Sequence, residues 1–314
     1  MNSHDKRKGI IMIPYAEIKD YNSGVNISDQ SNRRDIYLKN CCVTCLSARY
    51  HNDEKTDVAL VTNIKVPEKY QQLLIQNHIL VIHQEFDLFK FSEDYSWSLA
   101  FYKLCVLYRL LDRFEYDYYA YLDSDVYIQS GFENIWTECK DNILLYDINH
   151  GLQVEHYNHF LNEIKLYLNT DKKITHFGGE FFAANKENAV DFSRLCYEIF
   201  TEMNKKNIIT THGDEFILSI AAEKMKLKVK NAGAYVFRFW TGLFRLISTS
   251  YKNNAVTIIH VPDEKESGMI KLFEKYFSKG MIPTNKKVYS ILHLEKISIK
   301  IRLSVLKSYI FRNV

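Results

Sequence analysis

Two carboxylates one residue apart lie in an apolar stretch of the chain. Residues 118–128 read YYAYLDSDVYI, and Asp123 and Asp125 are the charged side chains in it. Residues i and i+2 of a β-strand point to the same face, so we expect the two carboxylates side by side. Like charges at that spacing repel unless a proton or a cation lies between them. Oxygen ligands suit Mg²⁺ or Mn²⁺, and the pair therefore predicts a metal that binds a diphosphate.

The same pair also fits a simpler role, as solvated loop carboxylates that cap a turn. A D-x-D pattern is common by chance and is weak evidence on its own. Its context strengthens it, because an apolar strand precedes the pair, Val126 and Ile128 follow it, and a helix with apolar spacing lies just upstream. We therefore favour the metal site.

Strands and helices alternate in the first half of the chain, which predicts an α/β fold of the Rossmann type with a mostly parallel sheet flanked by helices. Such sheets bind ligands beyond the carboxyl ends of their strands, and the carboxylate pair lies near one of those ends. The predicted strands are 9–14, 57–63, 79–84, 118–128, 142–148, 175–188 and 256–260. The predicted helices are 36–50, 68–78, 98–114, 188–206 and 213–225.

The run KLCVLYRLLDRFEYDYYAYLDSDVYI resembles the centre of nucleotide-sugar glycosyltransferases of the GT-A fold. In those enzymes a helix precedes a strand that ends in D-x-D, and the motif holds Mn²⁺ on the donor diphosphate. FGGEFFAANKE is similar to the segment that lines the donor sugar and the acceptor, and HGDEFILS to the acidic motif beside the reacting sugar. VTIIH resembles the strand whose final histidine completes the metal site in retaining family 8, the glycogenin-like and galactosyltransferase-like enzymes.

The sequence departs from that retaining family in two places. There the metal histidine is usually followed by a Gly and a Lys-Pro-Trp segment that grips the diphosphate, whereas VPDEKESGMIK follows His260. Lys265 and Lys271 are the candidate replacements. The acidic motif there usually pairs Asp with Gln, whereas this chain has Asp214 and Glu215, as in the retaining blood-group-type transferases. The resemblance favours retention of configuration and leaves inversion open.

The resemblance implies a role for each motif. Asp123, Asp125 and His260 would bind the metal, although a histidine at a strand end can also be a simple surface residue. Asp214 or Glu215 would lie at the anomeric carbon, as a stabiliser of an oxocarbenium-like state or as a base; favourable charges at a helix N-terminus are the alternative.

The remaining candidates would contact the donor or the acceptor. Gly178 and Gly179 would let the backbone approach a sugar whose hydroxyls Glu180 or the residues after it would bond, and a β-bulge is the alternative. Asn63 is a candidate contact to the nucleotide or a turn cap. Trp240 is a sugar platform or a core residue.

Length and charge restrict the class of protein. The chain has 314 residues, 46% hydrophobic residues and a net charge of +3, which predicts a globular fold with a sizeable core. The charge is too small to imply binding to nucleic acid. No apolar run reaches the length of a membrane span, and the N-terminus MNSHDKRKGI lacks the core of a signal peptide. We therefore expect a cytoplasmic protein without a nucleic-acid partner.

The C-terminal segment 286–314 is basic and amphipathic. It carries seven Lys or Arg side chains against one Glu, interspersed with aliphatic residues. Such a segment suits the anionic face of a membrane, and a solvated helix or an oligomer contact is the alternative. We expect a catalytic domain at 1–285, with a donor-binding half at about 1–150 and an acceptor-side half at 151–285. The tail would give peripheral contact with the cytoplasmic face of the inner membrane.

The function that follows is a metal-dependent hexosyltransferase. It would move a sugar from a nucleoside-diphosphate sugar, with a UDP-sugar favoured, to a glycan or lipid-linked acceptor in bacterial capsule, lipopolysaccharide or other surface polysaccharide synthesis. An inverting GT-A enzyme, a nucleotidyl- or phosphotransferase and an inactive glycan-binding relic are the alternatives. The second of these commonly has a Gly-rich or Lys-bearing loop after its first strand, and IPYAEIKDYNSG does not resemble one.

Overall fold

The computed structural model has one chain, of which these residues are described: 8–18, 27–28, 30–91, 95, 97–151, 158–210, 212–241, 255–294, 303 and 306–307. The strands are β1 Gly9–Tyr15, β2 Thr56–Thr62, β3 Leu80–His83, β4 Tyr118–Leu122, β5 Val126–Ile128, β6 Ile143–Asp147, β7 Phe177–Asn185, β8 Val229–Asn231, β9 Val236–Arg238 and β10 Ile258–His260. The helices are α1 Arg33–His51, α2 Glu68–Gln76, α3 Tyr102–Arg113, α4 Glu133–Glu138, α5 Asn158–Leu168, α6 Lys186–Lys206, α7 Asp214–Lys224, α8 Gly268–Lys275 and α9 Asn285–Ile291.

Seven strands form the central sheet, in the order β3-β2-β1-β4-β7-β6-β8. Strand β7 is antiparallel to both of its neighbours, and every other pair in the sheet is parallel. Three further strands form a smaller sheet, in the order β5-β10-β9. The prediction of an α/β fold with a mostly parallel sheet flanked by helices is confirmed.

Both faces of the central sheet are covered, which explains why its strands read as continuous apolar runs. Along β1, Ile11 and Ile13 pack into a core that includes the apolar side chains of α1, α2 and α8. Ile10 and Met12 point the other way, into a core built with α3, α6 and α7. Alternation along the strand thus supplies both cores, as the pleat requires.

The prediction of one strand over 118–128 is wrong. Strand β4 ends at Leu122, and β5 begins at Val126 in the smaller sheet, where it pairs with β10. Oγ1 of Thr44 on α1 lies 2.7 and 2.8 Å from the carbonyl oxygens of Ser124 and Val126, which share its single O–H donor, and this contact holds the turn against α1 and away from the central sheet. Asp123 and Asp125 therefore lie in the turn between two sheets, and strand alternation is not what brings them together.

The first part of the predicted tail packs against the core. Helix α9 buries Val288 and Tyr289, and Leu292 and Leu294 beyond it are also buried. Most of the rest of 286–314 lies outside the described residues, so its predicted amphipathic character stays a prediction. Across the described part of the chain, no helix combines the length and the apolar character that crossing a bilayer requires.

Because both faces of the central sheet are covered, shortening a side chain on either face should lower the free energy of unfolding. Leu60 on β2 is 0% exposed and packs into the α1 side of the core. Leu60→Ala should lower the free energy of unfolding by about 2–5 kcal/mol, because it leaves a cavity. Leu227, which is 98% exposed, is the matched control. Leu227→Ala should change the free energy by less than about 0.5 kcal/mol. Urea denaturation measures both, and equal losses would contradict this description of the core.

Candidate functional site

A cavity of about 340 Å³ opens at the carboxyl ends of β1 and β4. Its wall includes Tyr15 from the end of β1, Asp123 and Asp125 from the turn after β4, and Asp214 from the start of α7. The volume falls within the range of small-molecule sites, and the position is the usual one for ligands of parallel sheets. The fold thus brings polar side chains from distant parts of the sequence to one cleft.

Asp123, Asp125 and His260 form a group that could hold a metal ion. One ligand atom from each lies within 4.8 Å of the others. Nε2 of His260 lies 3.3 Å from Oδ2 of Asp125 and 3.9 Å from Oδ2 of Asp123. Two carboxylates and an imidazole are ligands that Mn²⁺ and Mg²⁺ accept. The sequence prediction therefore names three residues that the fold does bring together.

The carboxylate oxygen of Asp125 tests whether a cation fits this group. Its Oδ2 is buried and makes no hydrogen bond of good geometry, but Nζ of Lys265 lies 3.2 Å from it and Nε2 of His260 lies 3.3 Å from it. A buried, ionised oxygen in that state is costly unless a charge satisfies it. Burial alone would raise the pKa of Asp125, but the charges of Lys265 and His260 hold it well below its usual range. The carboxylate is thus ionised and already paired with two positive side chains, and a divalent metal fits here when it displaces the proton of His260, because two carboxylates and an imidazole are then its ligands.

Strand pairing fixes the three candidate ligands. The backbone N–H of Asp123 donates to the carbonyl oxygen of Glu180 on β7 at 3.0 Å. The carbonyl oxygen of Asp125 accepts from the N–H of Val261 at 3.1 Å, just beyond β10. His260 itself pairs with Val126 across the smaller sheet. Each ligand is therefore held by the backbone of another element, and not by a flexible loop alone.

His260 carries a charge that a metal ion would have to displace. Burial lowers the pKa of an imidazole, yet Asp125 and Glu180 outweigh that effect and raise the pKa of His260 to about 9. A histidine ligates a metal through a ring nitrogen without a proton, so cation binding here must release one.

Two lysines balance the carboxylates. Nζ of Lys103 on α3 lies 2.9 Å from Oδ1 of Asp123 and 3.1 Å from Oδ2 of Asp214, and it donates to the carbonyl oxygen of Gly179 at 2.8 Å. Nζ of Lys265 lies 3.2 Å from Oδ2 of Asp125. Despite burial, the nearby charge of Asp125 raises the pKa of Lys265 to about 12. Both lysines line the cavity as fixed cations.

Asp214 and Glu215 both line the cavity, but their environments push their pKa values apart. Burial raises the pKa of Asp214 to about 7; Lys103 opposes that shift, and the charges of Asp123 and Glu215 add to it. Burial also acts on Glu215, but a hydrogen bond from His176 and the charge of Arg238 lower its pKa. Near neutral pH, Asp214 can therefore exchange a proton, while Glu215 stays ionised.

A buried chain of charges connects these groups. The guanidinium of Arg238 donates twice to Glu180, at 2.7 and 2.6 Å, and lies 3.3 Å from Oε1 of Glu215. Nε2 of His176 lies 2.7 Å from the other oxygen of Glu215. Glu180 is not on the cavity wall: its side chain is 0% exposed and lies beneath Arg238. The structure thus places Glu180 in the support of the site, where it cannot reach a sugar in the cavity directly.

Glycines 178 and 179 make room for these ion pairs. A Cβ atom on Gly178 would lie 1.9 Å from Oε2 of Glu180, and one on Gly179 would lie 2.4 Å from Oδ2 of Asp214. Both distances are far below van der Waals contact, so a side chain at either position would displace a carboxylate. Gly179 also forms part of the cavity wall, which leaves room for its predicted contact with a ligand.

Two other candidates have different surroundings. Asn63 follows β2, and its amide accepts from the N–H of Glu17 at 2.9 Å and donates to the carbonyl oxygen of Glu17 at 2.7 Å. It joins two loops and is not among the residues that line the cavity. Trp240 does line the cavity, and Lys271 is exposed on α8 away from its wall. Of the two candidate lysines, the fold therefore places Lys265 at the site.

Sequence reasoning missed Lys103, Arg238 and His176. Lys103 lies in the apolar run SLAFYKLCVLYRLL, and a charge on an otherwise buried helix face was the available signal. Arg238 lies on a short strand, and His176 just before β7, in patterns that do not distinguish a site residue from a surface one. Their partners come from remote parts of the chain.

No protein-family model matches the chain, and no curated protein matches it either. The α/β fold and the Asp-Asp-His group are compatible with the resemblance to GT-A enzymes. No match places the chain in the retaining family 8, so the finer assignment stays a proposal.

The raised pKa of Asp214 predicts how stability changes with pH. Between its ordinary value of 3.8 and about 7, the folded protein keeps a proton that the unfolded chain has lost. The contribution of Asp214 to the free energy of unfolding should therefore fall as pH rises through that window, by about 1.4 kcal/mol for each unit of pKa shift. Above the window this contribution should stay level. Asp214→Asn removes this contribution, so the free energy of unfolding of the variant should rise relative to that of the wild type between pH 4 and pH 7. Urea denaturation at several pH values measures this, and a constant difference would contradict the shift.

Proposed function

We propose that this protein is a metal-dependent glycosyltransferase. It would move a sugar from a nucleoside-diphosphate sugar, with UDP favoured, to a glycan or lipid-linked acceptor. The observation that carries the proposal is the Asp123–Asp125–His260 group on a cavity wall at the carboxyl edge of a mostly parallel sheet. A hard divalent cation at such an edge is suited to the phosphates of a nucleotide donor.

The charge balance of the site supports a divalent cation. Five carboxylates meet three Lys or Arg side chains and the charged ring of His260 in one network of ion pairs, which leaves one negative charge when every acid is ionised. The carboxylates are Asp123, Asp125, Glu180, Asp214 and Glu215, and the cations are Lys103, Arg238 and Lys265. A divalent ion that displaces the proton of His260 would leave the network neutral. Arg33 also lines the cavity and adds positive charge for a diphosphate.

The chain's own residues have separable roles in this mechanism. Asp123, Asp125 and His260 would hold Mn²⁺ or Mg²⁺, which when bound would neutralise charge on the leaving diphosphate. Lys265, with a pKa of about 12, keeps its charge at the same place and favours the same leaving group. Lys103 forms ion pairs with both Asp123 and Asp214 and so keeps a fixed spacing across the cavity. We call the part of the cavity at Asp123, Asp125 and His260 its metal side, and the part at Asp214 and Glu215 its sugar side.

Asp214 and Glu215 suit two stereochemical outcomes. In a retaining reaction, the ionised carboxylate of Glu215 would stabilise positive charge that develops at the anomeric carbon. In an inverting reaction, Asp214 would accept the proton of the acceptor hydroxyl, for which a pKa of about 7 is well matched. We favour retention, with Glu215 as the stabilising group, because it is held ionised by Arg238 and His176.

The setting of the reaction follows from the resemblance and is part of the proposal. Bacterial capsule, lipopolysaccharide or another surface polysaccharide would be the product, and the basic segment after α9 would bring the enzyme to a lipid-linked acceptor at an anionic membrane face.

Donor binding should depend on the metal. We expect calorimetric titration to show that UDP binds in the presence of Mn²⁺ and that EDTA abolishes binding. Asp125→Asn should weaken Mn²⁺-dependent UDP binding at least about tenfold, because it removes one charged ligand. Asp87→Asn, at a surface pair with Arg109, is the control and should bind UDP as the wild type does. Failure of UDP, GDP, CDP, CMP and ADP alike to bind with Mn²⁺ would refute the proposal.

Glu215→Gln should separate binding from chemistry. We expect UDP affinity within about threefold of the wild type, because Glu215 lies on the sugar side of the cavity. Turnover of the best UDP-sugar in a screen should fall about 100-fold, because a charge that stabilises the transition state is lost. Released UDP measures the rate, and Glu202→Gln, at an exposed carboxylate paired with Lys206, is the control. A variant with full turnover would remove Glu215 from the mechanism.

A further inference from the structure

Glu180 touches both sides of the candidate site without lining its cavity. Its carbonyl oxygen accepts from the N–H of Asp123 at 3.0 Å, and its Oε1 lies 3.3 Å from Nδ1 of His260. The same carboxylate accepts two hydrogen bonds from Arg238. The carboxylate of Glu180 is 0% exposed and contacts a candidate metal ligand, so its charge acts on the side chains of the site and not on solvent.

The contact with His260 determines which ring nitrogen faces the two aspartates. Nδ1 is on the Glu180 side, and Nε2 is on the side of Asp125 and Asp123. The carboxylate of Glu180 accepts a hydrogen bond from an N–H group at Nδ1. The neutral ring therefore keeps its proton on Nδ1 and presents an unprotonated Nε2 to the two aspartates. Histidines that bind metals commonly donate their second nitrogen to a carboxylate in this way, and such partners increase metal affinity.

We propose that Glu180 is a positioning residue that orients His260 for metal binding and, through Arg238, orients the carboxylate of Glu215. The assignment rests on the proposed metal site. Arg238 uses the same guanidinium nitrogen for Oε2 of Glu180, at 2.6 Å, and for Oε1 of Glu215, at 3.3 Å. One buried ion pair therefore connects the metal group to the sugar side of the cavity.

Gly178 supports this assignment by the space that it leaves. The Cβ atom of any other residue there would overlap Oε2 of Glu180 and lie 2.7 Å from the guanidinium of Arg238. Gly178→Ala would therefore move the Glu180 carboxylate without removing any charged side chain from the site. Glu180→Gln removes the charge of Glu180, and Gly178→Ala displaces its carboxylate, so the two variants separate the effect of the charge from that of its position.

The test measures Mn²⁺ alone, by the loss of the free-ion electron paramagnetic resonance signal as protein is added. Glu180→Gln and Gly178→Ala should each weaken Mn²⁺ binding at least about tenfold, the range seen when the outer partner of a metal-binding histidine is removed. Asp57→Asn is the matched control, because Asp57 is a buried carboxylate at the opposite end of the central sheet. It should bind Mn²⁺ as the wild type does.

A folded variant of either kind that binds Mn²⁺ within twofold of the wild type would overturn the role of Glu180, and circular dichroism reports folding. The wild type gives an independent readout. In ¹⁵N-histidine spectra with Mg²⁺, His260, assigned with His260→Gln, should carry its proton on Nδ1; a proton on Nε2 would overturn the assignment. A wild type that binds no Mn²⁺ would instead remove the metal site itself and the proposed function with it.

Discussion

Repulsion among five buried or partly buried carboxylates determines how the side chains around the candidate site are arranged. Five acids meet at one edge of the central sheet, and each needs a cation or a proton within reach because burial makes an isolated charge costly. The chain supplies Lys103, Arg238 and Lys265 as fixed cations and lets one acid, with a pKa of about 7, keep a proton near neutral pH. Three of the five acids, Asp125, Glu180 and Asp214, are buried, and the other two, Asp123 and Glu215, are partly buried.

The fold meets this constraint with a change of sheet. Strand β4 leaves the central sheet at Leu122, and the turn after it carries two of the acids to the end of β10, where His260 lies. The antiparallel strand β7 passes beside that turn and gives both a backbone acceptor for Asp123 and the side chain of Glu180. The same few residues therefore determine the path of the chain and the chemistry of the site, so that changes to either are expected to affect the other.

The sequence was sufficient for the general fold, because apolar periodicity is local and the strand–helix alternation follows from it. It also identified the three residues of the candidate metal group. It could not show why they meet: the predicted strand over 118–128 breaks at Asp123 because of a hydrogen bond from Thr44 and pairing with β10, contacts that are remote in sequence. Lys103 and Arg238 were not predicted as site residues for the same reason, because only the folded chain brings their acidic partners beside them.

We propose that Asp123, Asp125 and His260 bind a divalent cation that in turn holds a nucleotide. The most direct measurement is a crystal structure grown with Mn²⁺ and UDP, with diffraction recorded at the manganese absorption edge. We expect one strong anomalous peak about 2.1–2.3 Å from a carboxylate oxygen of each aspartate and from Nε2 of His260, with UDP phosphate oxygens on the same ion. A cavity with bound UDP and no peak between those side chains, or a peak only at other carboxylates, would contradict it.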